Sequence, residues 1–387
     1  GAEDAYFVLG ADELADFWSW KRPDRVLERV RLAVAVRPGA PDEQMREALE
    51  RFPTGSVVFF EMAPLAVSST EIRTRVARGD VIDDLVPPEV AADVLATILR
   101  GEATDAQIAG FAVALRAKGE SPSELAALVR TMVEFSEKVP DTDIAEVIDT
   151  CGTGGDRAGT VNVSTMAAIV TAGAGVPVCK HGARGASSKC GTADVFEELG
   201  VAIELPPDGV KHCIDTAGIG FCFAPAFHPA FRFAAPSRRE IGVPTVFNLL
   251  GPMANPGRVR RQVIGVANAG FAERMIETLR SHGSVRSWVV HGAGLDELTT
   301  TGASQVIELD HGDIRHFTVD PTELGLPLVR NVDLEGGDRE HNAGVVRRVL
   351  AGDRGPHRDI VLLNAGAAMV VAGKAGTLRE GIGLASD

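Results

Sequence analysis

The residues most able to do chemistry lie in three short stretches. The first, CGTGGDRAGTVNVST (151–165), sets Gly152, Gly154, Gly155 and Gly159 ahead of the polar cluster NVST and an apolar run, MAAIVTAGAGV. Glycines let backbone N–H groups approach an anion, and a helix N-terminus supplies partial positive charge. Asn162, Ser164 and Thr165 add donors where the helix begins. The second stretch, KHGARGASSK (180–189), places Lys180 and Lys189 around a loop holding Ser187 and Ser188; a lysine meets phosphate as a point charge. The third is the adjacent acid pair Asp296-Glu297 in HGAGLDELTTTG. Two carboxylates at a strand end suit Mg²⁺, which binds through few carboxylates and completes its shell with substrate phosphates. The glycine stretch fits neither G-x-x-x-x-G-K-[ST] nor G-x-G-x-x-G, which sets those nucleotide-binding readings aside. On residues alone, a capped turn, solvated lysines and surface acids remain the alternatives.

These residues need strands and helices to bring them together. AEVIDT before the glycine loop, VPVCKHG, VAIELP, RQVIGVAN, SWVVHG and SQVIEL read as strands, alternating with helical stretches from about residue 144 onward. Ligands collect at the carboxyl ends of parallel strands, so two loops at successive strand ends reinforce each other. Residues 224–250 read as helix and loop inserted between strands. Residues 88–140 read as almost purely helical, with capping boxes at Thr104–Gln107 and Ser121–Glu124. Residues 1–90 alternate YFVLG, RLAVAVRPG and SVVFFEM with helical patterns, and Ser68 with Glu71 reads as a third capping box. The fold class is α/β with a helical domain.

Composition bounds the rest. The chain has 387 residues, 45% of them hydrophobic and 5% aromatic, with a net charge of −14. The acidity argues against a nucleic-acid or anionic-membrane surface, although it permits a local basic pocket. No apolar run reaches the roughly 20 residues that span a bilayer. The five cysteines form no CxxC pair and read as reduced thiols of a cytoplasmic protein.

DTCGTGGDRAGTVNVST, KHGARGASSK, HPAFRFAAPSRREIGVPTVFNLLGPMANP (228–256) and DELTTTG occur in one order, and together they resemble the anthranilate phosphoribosyltransferase family over about residues 90–387. ATDAQIAGFAVALRAKGES (103–121) is similar to that family's helical domain. The resemblance implies a helical domain at 89–143, joined by the inserted elements 224–250, against a larger α/β domain at 144–387 of nucleoside phosphorylase/phosphoribosyltransferase type. It implies transfer of the 5-phosphoribosyl group from phosphoribosyl pyrophosphate to anthranilate in tryptophan biosynthesis, with Mg²⁺ and in a homodimer. Gly152, Gly154, Gly155 and Asp156 would cradle the donor, completed by Thr160, Asn162, Ser164, Thr165, Lys180 and Ser188. Asp296 and Glu297 would hold the metal with Ser164, and Arg238 would meet the anthranilate carboxylate. His181, Ala183 and the Gly152 region would border the aromatic ring. An aniline nitrogen is nucleophilic when neutral, so no general base is assigned.

Two features depart from that family. Ala183 stands where members carry an asparagine, and it offers no side-chain hydrogen bond to an acceptor. This feature keeps a nucleoside phosphorylase of the same fold in view, beside a nucleic-acid-binding relative that the charge opposes. The family's last helix beyond GIGLASD is also expected to be missing, which makes the α/β domain C-terminally truncated.

Residues 1–88 resemble instead the C-terminal half of nicotinate-nucleotide adenylyltransferase, a Rossmann-like enzyme of NAD synthesis. YFVLGADELADFWSW, RLAVAVRPG and LAVSSTEIRTRVARGDVIDDLVPPEV carry the likeness. It implies Gly10 and Asp12 facing a nucleotide, Trp20 near the pyridine ring, and Ser68, Ser69, Thr70 and Arg73 on ATP phosphates. The GxFDPxHxGH segment of that family's other half has no match in the chain. A fusion lacking adenylyl-transfer activity is the expectation.

Overall fold

The computed structural model describes residues 5–36, 49–61, 74–75, 78, 88–141, 146–185 and 189–387. The chain divides into two compact units, Gly1–Arg75 and Val76–Asp387.

In the first unit, β1 (Tyr6–Gly10), β2 (Arg31–Val36) and β3 (Val57–Glu61) form a parallel sheet in that order, with short helices α1 (Ala11–Asp16) and α2 (Pro23–Leu27) between the first two. Leu9, Leu14, Phe17, Leu32, Val34, Val36 and Phe52 make its core. Trp20 packs on Phe17 and Phe7, with ring centroids 5.0 and 5.6 Å away. Gly10 ends β1 and precedes α1. The side chain of Asp12, residues Ser68, Ser69, Thr70 and Arg73, and the Ser68–Glu71 capping box lie outside the described residues.

The second unit opens with three helices, α3 (Pro88–Leu99), α4 (Asp105–Lys118) and α5 (Pro122–Glu134). Both capping boxes are present: Thr104 and Ser121 accept from the N–H groups of Gln107 and Glu124, whose side chains reach back. Apolar positions of α3–α5 meet Phe247, Leu249, Leu250 and Met253, so the inserted segment packs into the bundle.

The α/β layer follows: β4 (Ile148–Gly152), α6 (Val163–Gly173), β5 (Val178–Gly182), α7 (Thr192–Glu198), α8 (Pro207–Ala217) and β6 (Ile219–Phe223). The insert holds α9 (Ala224–Phe227), α10 (Ala235–Ile241) and α11 (Val246–Met253). After it come β7 (Arg261–Gly265), α12 (Ala272–Ser281), β8 (Arg286–Gly292), β9 (Ser304–Asp310), β10 (Asp313–Val319), α13 (Arg339–Leu350), α14 (Pro356–Val371) and α15 (Leu378–Ser386). The sheet order is β10-β9-β8-β7-β4-β5-β6, with β4 to β8 parallel and the last two strands antiparallel. VAIELP, expected as a strand, is unpaired; its run ends in Pro206-Pro207, which cap and open α8. Proline supplies no ladder donor, and β6 takes the edge instead. The β9–β10 hairpin turns through His311 and Gly312, both at positive φ, which the two-residue hairpin turn requires. Among the described residues no helix is long and apolar enough to cross a membrane.

Candidate active site

The chain builds outward from β4 to β5 and β6, then returns to place β7 on the other side of β4. That reversal opens a crevice at the carboxyl ends of β4 and β7, where ligands bind in open α/β sheets. Gly152 and Gly265 end these two strands, directly paired. The Asp296–Glu297 turn drops into the space they leave. A Cβ on Gly152 would overlap Asp296 Oδ2, one on Gly265 would overlap the Asp296 main chain, and one on Gly292, at the end of β8, would overlap the Glu297 carbonyl. Three glycines on three adjacent strands thus make the seat for the acid pair.

The glycine loop closes over this seat. Gly154, Gly155, Arg157 and Gly159 all adopt positive φ. Gly154 N–H donates to Asp296 Oδ2 at 2.7 Å. Asp156 caps its own turn, accepting from Ala158 N–H at 3.2 Å. Thr160 bridges to Glu335, and Val161 N–H reaches Leu334 O at 3.0 Å, which anchors the far side of the loop. No side chain caps α6; its Val163 N–H turns back to Val161 O at 2.7 Å, and that of Ser164 meets Glu297.

The electrostatics are crowded with acid. Burial and the nearby Asp156 carboxylate push Asp296 up to about 7. Burial and Asp296 hold Glu297 well above the usual carboxylate range, with Lys180 pulling the other way. Carboxylates raised by one another mark a place short of positive charge. Among the described residues no three His, Cys, Asp or Glu side chains surround one point. The donor set therefore suits a cation that keeps water and substrate oxygens in its shell, as Mg²⁺ does.

Lys180 lies beneath the loop, 1% exposed, with Nζ donating to Thr150 O at 2.6 Å. Two further predicted donors are engaged by the protein. Asn162 donates to Cys190 O at 3.1 Å and accepts from Asn342, and the Thr165 hydroxyl pairs with that of Thr192. Ser188 lies outside the described residues.

His181, at the end of β5, holds Gly251 O through Nδ1 at 3.1 Å. Its ring faces that of His228 at 5.1 Å. His181 Nε2 is buried without a hydrogen-bond partner, which is costly unless a ligand meets it, and the His228 ring lies against the Ala254 backbone. Burial drives His181 down to about 3 and His228 to about 4, so both are neutral. His228 was not among the residues singled out in the sequence, although HPAF carried it. Arg238, on α10, lies half-buried over the Phe231 ring at 4.9 Å. Burial lowers its pKa, and no carboxylate pairs with it among the described residues. Ala183 is exposed just past β5, and its carbonyl accepts from Ala193 N–H.

A family described as "Glycosyl transferase family, a/b domain" matches residues 144–387, and its helical bundle domain matches residues 78–136. The anthranilate phosphoribosyltransferase of a Chelativorans species is 50% identical over 297 residues, covering 77% of this chain and 87% of that protein. The chain belongs to the anthranilate phosphoribosyltransferase family. It is an enzyme of the glycosyltransferase class. The solved anthranilate phosphoribosyltransferase of Thermus thermophilus superposes with a TM-score of 0.75 at 42% identity, covering 81% of this chain and 92% of that one. The Saccharomyces cerevisiae enzyme, solved in complex with phosphoribosyl pyrophosphate and Mg, gives 0.72 at 26% identity, covering 82% and 93%. Residues 1–75 match a cytidylyltransferase-like family, in keeping with the parallel sheet there.

Proposed function

We propose that the chain moves the 5-phosphoribosyl group of phosphoribosyl pyrophosphate onto the amine of anthranilate, releasing pyrophosphate. The observation that carries this reading is the bond from Gly154 to Asp296, which joins the anion-binding loop to the acid pair over the strand crevice. The glycine loop would cradle the donor's phosphates through Gly152 and Gly155, with Gly154 tying it to Asp296 and with Asp156 and Thr160 lining it. Asn162 and Thr165 brace it, and Lys180 acts from below as a counter-charge to Glu297. Asp296 and Glu297, with Ser164, would hold Mg²⁺, which offsets the charge of departing pyrophosphate when bound. The preformed N–H groups act on the same developing charge, which costs no reorganisation during reaction.

Arg238 supplies the acceptor's carboxylate with a charge-assisted partner. Neutral His181 and His228 give the aromatic amine a polar but uncharged surface. Positioning the amine against the sugar then carries much of the rate. Ala183 leaves the rim of this side open. Loss of anthranilate fluorescence in the presence of donor and Mg²⁺ tests the assignment, and phosphorolysis of a nucleoside instead would replace it.

Residues 1–88 are read as derived from nicotinate-nucleotide adenylyltransferase, with no adenylyl transfer expected of them alone. Pyrophosphate release from ATP and nicotinate mononucleotide would contradict this. A homodimer through the helical bundle is the assembly the resemblance implies, and sedimentation would test it. A cytoplasmic location fits the free cysteines.

A further inference from the structure

β4 and β5 are sheet neighbours, yet they share a single register pair, Ile148 with Val178, whereas β4 follows β7 from Ile148 to Gly152. Beyond Ile148 the ladder pairing between them stops. Backbone groups left unpaired inside a protein must find other partners, and here side chains supply them. Asp149 Oδ1 accepts from His181 N–H at 3.3 Å. Asn255 Nδ2 donates to Asp149 Oδ2 and to Cys179 O, both at 2.8 Å. Lys180 Nζ donates to Thr150 O at 2.6 Å. Asn255 is itself fixed, because its Oδ1 accepts from Gly257 N–H at 2.7 Å.

Each member occupies a telling place. Asp149 is fully buried and lies three residues before Gly152, where the donor loop begins. Cys179 and His181 belong to β5, and only Nε2 of the His181 ring is left without a partner. Asn255 follows α11, where the chain leaves the helical bundle for β7, and Gly251 of α11 holds His181 by its ring. One buried carboxylate and one amide therefore stand in for the missing ladder between the strand that carries the glycine loop and the strand that carries His181. They also fasten both strands to the end of the bundle helix.

We propose that Asp149 and Asn255 are positioning residues of the transfer, setting the gap between the donor loop on β4 and the acceptor side at His181 while touching neither substrate. The proposal rests on the reading that places the donor over the β4 loop and the acceptor beside His181. A shift of about 1 Å between reacting groups can cost on the order of 100-fold in rate. The pair is a rigid strut, and its loss leaves both sites intact but out of register.

Steady-state kinetics of the full chain with each substrate varied test this, using Asp149→Asn, Asn255→Ala and the double variant, each checked by thermal melt. The expected result is a fall of roughly 10- to 100-fold in kcat/KM for anthranilate in both single variants. The double variant is expected to lose no more than the worse single, since both act through one strut. The KM for phosphoribosyl pyrophosphate is expected to stay within about threefold, a split that general loosening of the fold would not produce. Folded variants with kcat/KM for anthranilate near the parent's, or with donor and acceptor affinity lost alike, overturn the proposal. Should Asp149→Asn fail to fold, Asn255→Ser leaves Asp149 and its bond from His181 N–H in place and carries the same readouts. A parent that turns over no anthranilate refutes the acceptor assignment itself; an active parent with unchanged variants refutes the strut alone.

Discussion

Gly154 N–H and Asp296 Oδ2 are joined by a 2.7 Å hydrogen bond across 142 positions of sequence. This contact holds the anion-binding loop against the acid pair, and it exists because Gly152 and Gly265 have no side chains to fill the space.

That geometry separates two glycine substitutions. Gly265→Ala places a Cβ inside the Asp296 main chain, so the turn must move; activity is expected to fall by two orders of magnitude or more, as loss of a preorganised electrostatic group does. Gly154→Ala meets nothing within 4 Å and bears only the cost of its φ of +66°, about 1–2 kcal/mol of stability. Thermal melts and initial rates of the two variants check the contrast, and equal effects would contradict it.

Arg238→Ala is expected to raise the KM for anthranilate by about 10- to 100-fold, the worth of a charge-assisted bond, with donor KM little changed. Arg238→Lys should recover only part, because a point charge lacks the planar fork. A KM unaffected by either change would remove Arg238 from the acceptor site.

The histidine pair predicts an acid-side loss of stability. In the unfolded chain each imidazole takes up a proton near pH 6.5. In the fold His181 and His228 stay neutral down to about 3 and about 4. Between these limits the unfolded state binds more protons, so stability falls as pH drops from about 6.5, by up to about 1.4 kcal/mol per pH unit for each histidine. Denaturant titrations from neutral pH to about pH 5 should show a shallower pH dependence in His228→Gln than in the parent. Identical slopes would mean the pair is already charged or solvated.

Local signals made the strand, glycine loop and helix legible in the sequence, as they did the capping boxes at Thr104 and Ser121. The acid pair was legible as a candidate because Asp296 and Glu297 are adjacent. The seat beneath it was not: Gly152, Gly265 and Gly292 meet only through the return of β7 to the side of β4, which no local pattern encodes. Lys180 was read as a loop-side phosphate ligand, but strand alternation alone does not reveal that its ammonium reaches back under β4 to Thr150 O. His228 escaped for a similar reason, since its partner His181 comes from another element. The edge strand β6 was displaced in the reading by VAIELP, whose β-branched run looks stronger than IGFCF until the prolines that follow it are weighed.

The central claim is that the seated acid pair serves phosphoribosyl transfer to anthranilate. The most direct measurement follows anthranilate fluorescence with phosphoribosyl pyrophosphate, comparing the parent with Mg²⁺, the parent with chelator, and the Asp296→Ala, Glu297→Ala double variant. The account predicts loss of signal only in the parent with Mg²⁺, with the double variant slower by two orders of magnitude or more. Turnover that persists in the double variant, or that ignores the chelator, would contradict it.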